Sequence, residues 1–504
     1  MSALPSIRAN GRLSWAFWGT AAGLVAWYVG LMASAVRQGR TLIFKLDLRK
    51  QHYLQACAQG TVFLYWGFYW REVYHSAHLI AAQLLFAYAF DILLSWSRRD
   101  EYALGFSPFP VIFSINLFLW FKPDWFYLQF LLVAVGFAAK ELIRWERNGR
   151  RVHVFNPSSF PLGLFSLVLL LTASTDMTWG YEIATTLNNA PHIYLLIFLV
   201  GLPGQFLFGV TTMTMTAVVT MYAFGLLYFA LTGTYYFVDS YIPIAVFLGM
   251  HLLFTDPSTS PRSEFGRVIF GALYALSVVA LYALLSRLGM PTFYDKLMAV
   301  PILNLAIKAI DRFVQWRRLA RFDPAALVRG LSGRRRNLAY IGVWSGVFLA
   351  MSASQAVGDT HRGQWVAFWL KACEESRPNG CRNAGVLVSA YCRAGSGWAC
   401  NEYGVLIQPA LRPETASRAF ERACELGFAA GCDNRDSRMT ENPRRAPPGD
   451  GDYRIVLRGR KENLEHVTPL ELHQRACTQG FPDGCRQACA EGHSSGCAAG
   501  NQPP

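Results

Sequence analysis

Residues 266–287 read GRVIFGALYALSVVALYALLSR, with their two charges, Arg267 and Arg287, near or at the ends. A hydrocarbon core of ~30 Å is crossed by a helix of about 20 mostly apolar residues. Coil cannot make that crossing, because each unpaired backbone group in lipid costs several kcal/mol. The stretch reads as a membrane helix, and it has companions. Apolar blocks of about 16 to 23 residues, the length such a helix needs, lie near 14–36, 53–70, 76–96, 106–121, 125–141, 158–174, 192–209, 211–231, 240–254, 266–287, 296–311 and 338–355. Twelve spans are expected. The one at 106–121 is short and carries Pro108 and Pro110, so it reads as broken or re-entrant.

Composition points the same way. The chain has 504 residues, 53% hydrophobic, 14% aromatic and only 16% charged, where a soluble domain carries about 25% charged residues. The net charge of +14 does not imply nucleic acid. Its basic residues concentrate in short loops between apolar blocks, as the positive-inside rule expects of a bilayer protein.

Three loops set the orientation. Residues 37–52 hold Arg37, Arg40, Lys45, Arg49 and Lys50; residues 142–153 hold Arg144, Arg147, Arg150 and Arg151; residues 312–337 hold eight arginines. With twelve spans all three share one face, which is then cytoplasmic. The loops near 71–75, 121–124, 175–191, 232–239 and 288–295 face outward, as does everything after about 356. Arg8 and Arg12 precede an apolar run ending in Ala33-Ser34-Ala35, a pattern similar to a cleaved signal peptide. The length of that run favours a retained span.

Ten of the eleven cysteines lie after residue 370, in five pairs of one spacing, Cys-x7-Cys: Cys373/Cys381, Cys392/Cys400, Cys424/Cys432, Cys477/Cys485 and Cys489/Cys497. Four pairs have Gly before the second Cys (Gly380, Gly431, Gly484, Gly496). The spacing fits two antiparallel helices joined by a short turn, where Gly lets the backbones approach to disulfide distance. Zinc is the rival, but zinc sites favour Cys-x2–4-Cys clusters. An outward tail also lies in an oxidising compartment, where disulfides persist. Cys57, alone on the second span, reads as a small packed residue.

The pattern from Ala419 to Gly427 and on through Gly431, Cys432, Asp433 and Asn434 resembles Sel1-like, disulfide-stapled helical repeats of the Hcp type. The resemblance implies a stacked solenoid that binds proteins; the bland alternative is a stapled spacer. Residues 435–465, rich in Arg, Pro and Gly, read as a flexible break in the array.

Two stretches interrupt the apolar pattern at membrane boundaries: His153-Val154-Phe155-Asn156-Pro157-Ser158-Ser159-Phe160, and Phe254-Thr255-Asp256-Pro257-Ser258-Thr259-Ser260-Pro261-Arg262. In each, Asn or Asp precedes Pro and then Ser or Thr, which is a helix cap with Pro at the first helical position. Such a start is either an ordinary helix end or a seat for a phosphate or carboxylate, because free N–H groups and about half a positive charge collect there. Other polar residues at membrane depth are His78, Asp91, His251 and the run Thr211, Thr212, Thr214 and Thr216. Asp91 either faces a cavity or pairs with Arg98 and Arg99 at the boundary. The threonines either line a path or bond back to their own helix.

The two Asx-Pro motifs, with Gly266-Arg267 after the second, resemble signature stretches of the RnfD/NqrB membrane subunits, over about residues 50–310, and most closely the UnbU-type branch. That resemblance implies a subunit of an ion-translocating electron-transport complex with further membrane or periplasmic partners. It also implies FMN, attached through its phosphate to a Thr on the outer face. Thr185, in Gly180-Tyr181-Glu182-Ile183-Ala184-Thr185-Thr186-Leu187, is the corresponding acceptor. Glu182 and Ile183 replace the Ser-Gly of that motif, and Glu182 repels a phosphate.

The expected chain is all-α: a polytopic bundle in a bacterial inner membrane, then a disulfide-stapled repeat domain. Its parts are an N-terminal span and basic loop (1–52), the RnfD/NqrB-like bundle (53–311), an arginine-rich loop (312–337), a last span (338–355), repeats (356–434), a linker (435–465) and further repeats (466–504). The expected ligand site gathers Asn156, Ser158, Asp256, Thr259 and Ser260 near Thr185, with partners limited to lipid and protein. A transporter without redox chemistry and a membrane-anchored scaffold are the alternatives. P-loop, His-Glu-x-x-His and Gly-x-Ser-x-Gly patterns are absent from suitable contexts.

Overall fold

The computed structural model describes residues 4–147, 149–316, 322–328, 330–407, 413–436, 443–457 and 464–492. The chain is mostly helical with two small two-stranded sheets. It divides into two units, residues 1–222 with 244–351 and residues 223–243 with 352–504.

The first unit is built on α1 (Gly11–Arg37), α2 (Lys50–Tyr69), α3 (Ala77–Arg98), α4 (Pro108–Asn116), α5 (Tyr127–Leu142), α6 (Ser159–Leu171), α7 (Gly180–Thr186), α8 (Ile193–Phe208), the first part of α9 (Thr211–Thr232), α10 (Ile244–Leu252), α11 (Glu264–Arg287), α12 (Asp295–Phe313) and α13 (Gly333–Ala353). All twelve apolar stretches contain a helix. Among the described residues, however, four helices (α1, α3, α9 and α11) are long and apolar enough to cross a membrane. A fifth is counted if α7 and its continuation to Asn189 join α8 across a bend of 102°.

Helices thus stand where the twelve spans were expected, but most of them are not long and apolar enough to cross alone, and the reasons are local. Helix α4 starts at Pro108 and α10 stops ahead of Asp256-Pro257, so each has nine residues. At 1.5 Å per residue that is roughly 14 Å, half a hydrocarbon core. Helix α6 ends after thirteen residues. Helices α12 and α13 are longer but charged, through Lys296, Lys308 and Arg312 in one and Arg334, Arg335 and Arg336 in the other.

One arrangement occurs twice. Helix α4 runs through residues 117–122 into a 3-10 turn at Pro123–Trp125 and then α5; α10 runs through residues 253–256 into a 3-10 turn at Pro257–Thr259 and then α11. Helix α2 packs on α4 as α8 packs on α10, and the pairs α2–α8 and α6–α12 join the halves.

The loops sort to two ends of this unit. At one end, β1 (Ile43–Leu46) pairs in parallel with β2 (Glu101–Leu104), and Arg40 Nε donates to Asp100 at 2.8 Å. There β3 (Arg144–Arg147) forms a hairpin with β4 (Arg150–His153), Arg147 reaches Asp311 at 2.6 Å, and Asn337 Nδ2 donates to the Phe206 carbonyl at 3.0 Å. All three basic loops therefore gather together. At the other end, Trp179 N–H donates to the Trp120 carbonyl at 2.9 Å, Trp66 Nε1 to Thr186 Oγ1 at 3.1 Å, and Asn10 Nδ2 to Asp124 at 2.6 Å.

In the second unit, α14 (Val366–Glu374), α15 (Gly380–Arg393), α16 (Gly397–Ile407), α17 (Pro413–Glu425), α18 (Ala429–Asp436), α19 (Asp450–Val456), α20 (Pro469–Thr478) and α21 (Pro482–Ala490) form stapled pairs. Disulfides join Cys373–Cys381, Cys392–Cys400, Cys424–Cys432 and Cys477–Cys485, with Cα–Cα distances of 4.3 to 4.5 Å. Glycine is needed at the closest approach. A Cβ on Gly431 would stand 2.4 Å from Ala423 Cβ, and one on Gly484 the same distance from Ala476 Cβ. Of the fifth pair, Cys497 lies outside the described residues.

Trp369, Val388, Tyr453 and Leu472 are fully buried in this unit's core. Residues 232–239, expected to face outward, belong to the same core: Tyr235 packs there, and Trp369 Nε1 donates to the Val238 carbonyl at 3.0 Å. The expected flexible break at 435–465 is corrected in its described part, because α19 lies within it and buries Tyr453, Val456 and Leu457.

Candidate functional site

The basic-loop end of the first unit encloses a cavity of about 740 Å3. Its wall comes from the start of α2, the ends of α3 and α5, strand β4, and both Asx-Pro turns. The two turns are built alike. Asn156 Oδ1 accepts the N–H groups of Ser158 (3.0 Å) and Ser159 (3.1 Å). Asp256 Oδ1 accepts the Ser258 N–H at 2.9 Å, while its Oδ2 takes the Thr259 hydroxyl at 3.1 Å and His153 Nε2 at 3.1 Å.

Of the two readings of these helix starts, the geometry selects the ordinary one. The free N–H groups are taken by their own cap side chains, so they are not an open seat for an anion.

The five expected residues of these turns do come together. Asn156, Ser158 and Asp256 line the cavity. Thr259 and Ser260 are buried, and the Ser260 carbonyl accepts Arg147 Nη2 at 2.9 Å. Two residues that sequence reasoning missed lock them in place. Asn304 of α12 accepts the Asn156 N–H at 3.1 Å and donates to the Thr259 carbonyl at 3.2 Å, stapling one turn to the other. Arg147 ties the hairpin to Asp311 and to the carbonyls of Ser258 and Ser260.

Thr185 does not join them, which corrects the expected single site. Its end of the bundle is fixed by the bond from Trp66 to Thr186. The other end of α2 supplies His52 to the cavity, and the helix between His52 and Trp66 spans about 21 Å. Thr185 itself is half-buried. Its hydroxyl donates into its own helix, to the carbonyls of Tyr181 (3.0 Å) and Glu182 (3.2 Å). The Glu182 charge is on the same turn.

The remaining polar leads also settle. Asp91 meets Lys140 at 3.8 Å and the Tyr102 hydroxyl at 3.4 Å, whereas Arg99 pairs with Glu141 at 2.8 Å; of its two expected settings Asp91 takes the cavity, whose wall it lines, and not the pairing with Arg99. Thr212 donates to Glu264 at 2.6 Å, and His251 Nδ1 lies 2.8 Å from the Phe247 carbonyl. Cys57 is exposed on α2, not packed. Arg151 lines the cavity and forms no ion pair among the described residues. In comparisons with protein-family models, curated proteins and solved structures, the chain matches none.

Proposed function

We propose that the first unit is a membrane transport protein and that the cavity is its cytoplasm-facing vestibule for a small polar solute bearing negative charge. The observation that carries this reading is the cavity's place. It lies among the basic loops and is walled by the two Asx-Pro turns, one opening α6 and one following α10, which Asn304 staples together. Short and broken helices that meet inside a bundle are how membrane proteins expose backbone and polar groups to a solute without exposing them to lipid. The short helices α4, α5, α6 and α10, with the segments that follow them, and the longer, charged α12 and α13 then complete twelve passes. The alternation of loops between the two ends supports that count. The bilayer is a bacterial inner membrane, with the arginine loops in the cytosol and the disulfide-paired tail in the periplasm, where it recruits membrane or periplasmic protein partners.

The test is accessibility. In a Cys57→Ser background, Ser258→Cys is treated with a maleimide that cannot permeate membranes. Labelling in inside-out vesicles and none in right-side-out vesicles is expected. Labelling from the opposite side, or from neither, overturns the vestibule.

Electron transfer of the RnfD/NqrB kind is the second reading. One observation favours it: the indoles of Trp66, Trp70 and Trp120 stack at 5.1 to 6.1 Å beside the Thr186 turn. A flavin on Thr185 gives a fluorescent band in a denaturing gel that Thr185→Ala abolishes. A dark wild-type band eliminates the covalent flavin.

A further inference from the structure

The second unit holds part of its own chain in an extended form across its helices. Residues 443–449 contain no helix or strand, yet they are gripped at both backbone and side chain. Asn434 of α18 accepts the Arg444 N–H at 2.6 Å and returns Nδ2 to the Arg444 carbonyl at 2.8 Å. Asn401 of α16 donates to the same carbonyl at 3.0 Å. This reads main chain, as an added β-strand does, and is indifferent to sequence. Sequence preference enters through charge. The Arg445 guanidinium sits 3.2 Å from Glu374 and 3.4 Å from the buried Glu402, and Arg444 Nη1 lies 2.8 Å from Asp433.

Asn434 stands two residues after the second cysteine of its pair. The same place holds Asn383 after Cys381 and Gln487 after Cys485. Both are amides, and both have buried polar atoms without a partner: Nδ2 and Oδ1 of Asn383, which is fully buried, and Oε1 of Gln487. An unsatisfied buried amide costs about 1–3 kcal/mol. Asn383 lies inside the unit, out of a peptide's reach, so the contacts open to a ligand are those now made to residues 443–449.

We infer that the disulfide-paired repeats form a groove for an extended, arginine-bearing peptide segment of a partner protein, and that residues 443–449 are a tethered competitor occupying part of it. The amides of Asn401 and Asn434 take the partner's main chain, and Glu374, Glu402 and Asp433 take its arginines. The tether sets the threshold. A segment this close to its groove acts at an effective concentration on the order of millimolar, so a free peptide of equal affinity gains access only when the tethered copy is weakened. This inference concerns the second unit alone and stands or falls apart from the vestibule.

The experiment uses the full chain in detergent and a fluorescein-labelled peptide with the sequence of residues 443–449, PRRAPPG. Arg445→Glu sets the tethered copy against Glu374 and Glu402. Fluorescence anisotropy should show the peptide binding this variant at least 10-fold more tightly than wild type, and adding Asn434→Ala should abolish the gain. Equal binding to wild type and Arg445→Glu, or a gain that survives Asn434→Ala, overturns the inference. Hydrogen exchange guards against misfolding. In wild type the Arg444 amide should be protected at least 10-fold over a free peptide, and in Asn434→Ala it should lose that protection while the α15 amides keep theirs. An Arg444 amide that exchanges freely in wild type overturns the inference as well.

Discussion

Reducing the disulfides is the perturbation with the largest expected effect on the second unit. Each of the four bonds links residues eight positions apart. In the chain-entropy treatment a loop of that size withdraws about 8 cal/mol/K from the unfolded chain, or about 2.5 kcal/mol at 25 °C. Four together amount to about 10 kcal/mol, comparable to the whole net stability of an ordinary domain. The helices they join are short, eight to fourteen residues, below the length at which an isolated helix persists in water. The fully reduced unit should therefore unfold. The graded version is Cys424→Ala with Cys432→Ala, which should raise the open population about 70-fold. Hydrogen exchange of the Val388 and Leu472 amides in the full chain, oxidised and reduced, measures both. Reduced protein in which those amides exchange as slowly as in the oxidised protein would refute the claim that the cross-links hold the fold. An oxidising compartment would then no longer be required.

Arg147→Ala removes a guanidinium that bonds Asp311 and two carbonyls. Asp311 is about one-fifth exposed, so the loss should be about 3 kcal/mol, the low end for a broken buried pair. Chemical denaturation of Arg147→Ala, Asp311→Asn and the double variant measures it, and a coupling under about 0.5 kcal/mol contradicts the pairing. Asn304→Ala should cost about 2 kcal/mol by orphaning the Asn156 N–H and the Thr259 carbonyl, and should also speed hydrogen exchange at Asn156; unchanged exchange there rejects the staple. The second unit should lose stability as pH rises from 4.5 to 7. Burial lifts the Glu402 carboxyl to about 7 against the opposing charge of Arg445, so the native state holds its proton more tightly than the unfolded chain does. The favourable contribution is complete below 4.5, lost by 7 and flat above, roughly 3 kcal/mol in all. His361, lowered to about 4 by burial, has the opposite sign between 4 and 6.5. The Glu402→Gln variant is therefore compared with wild type across the range, and a difference that does not change with pH excludes the buried proton.

What the sequence disclosed follows from what is local. Arginine clusters, the Cys-x7-Cys spacing and the Asx-Pro starts each lie within one short stretch of chain, and they appear in the fold as a gathered end, four cross-links and two capped turns. Long-range partnerships were not visible. Arg147 and Asp311 are 164 positions apart, and neither is unusual in its own segment. Asn304 lies in a helix whose other residues read as an ordinary span. Helix α10 has no internal breaker, so its apolar run promised a full crossing; it ends because Asp256-Pro257 starts a new turn. In residues 435–465 the scarcity of apolar residues concealed their spacing, since Tyr453, Val456 and Leu457 fall on one helical face and are enough to pin α19 to the core.

The polar groups at membrane depth also needed to be read as a network, not singly. Ionisable residues attract attention in an apolar helix because an isolated one is costly there, and His78 and Asp91 stood out for that reason. The groups that shape the bundle are uncharged. Gln83 and Asn116 exchange two hydrogen bonds, at 3.0 and 2.8 Å. Gln129 adds a third to Gln83 at 3.1 Å and accepts the Phe121 N–H at 3.0 Å. Together they fasten α3 and α5 to the last turn of α4 and to the extended chain that follows it. A nine-residue helix leaves its final carbonyls and the next N–H groups unpaired, and in lipid no water can satisfy them. The amides supply what water cannot at the Phe121 N–H. The same side chains that would be a liability in a full-length span thus allow a half-helix to end inside the bundle.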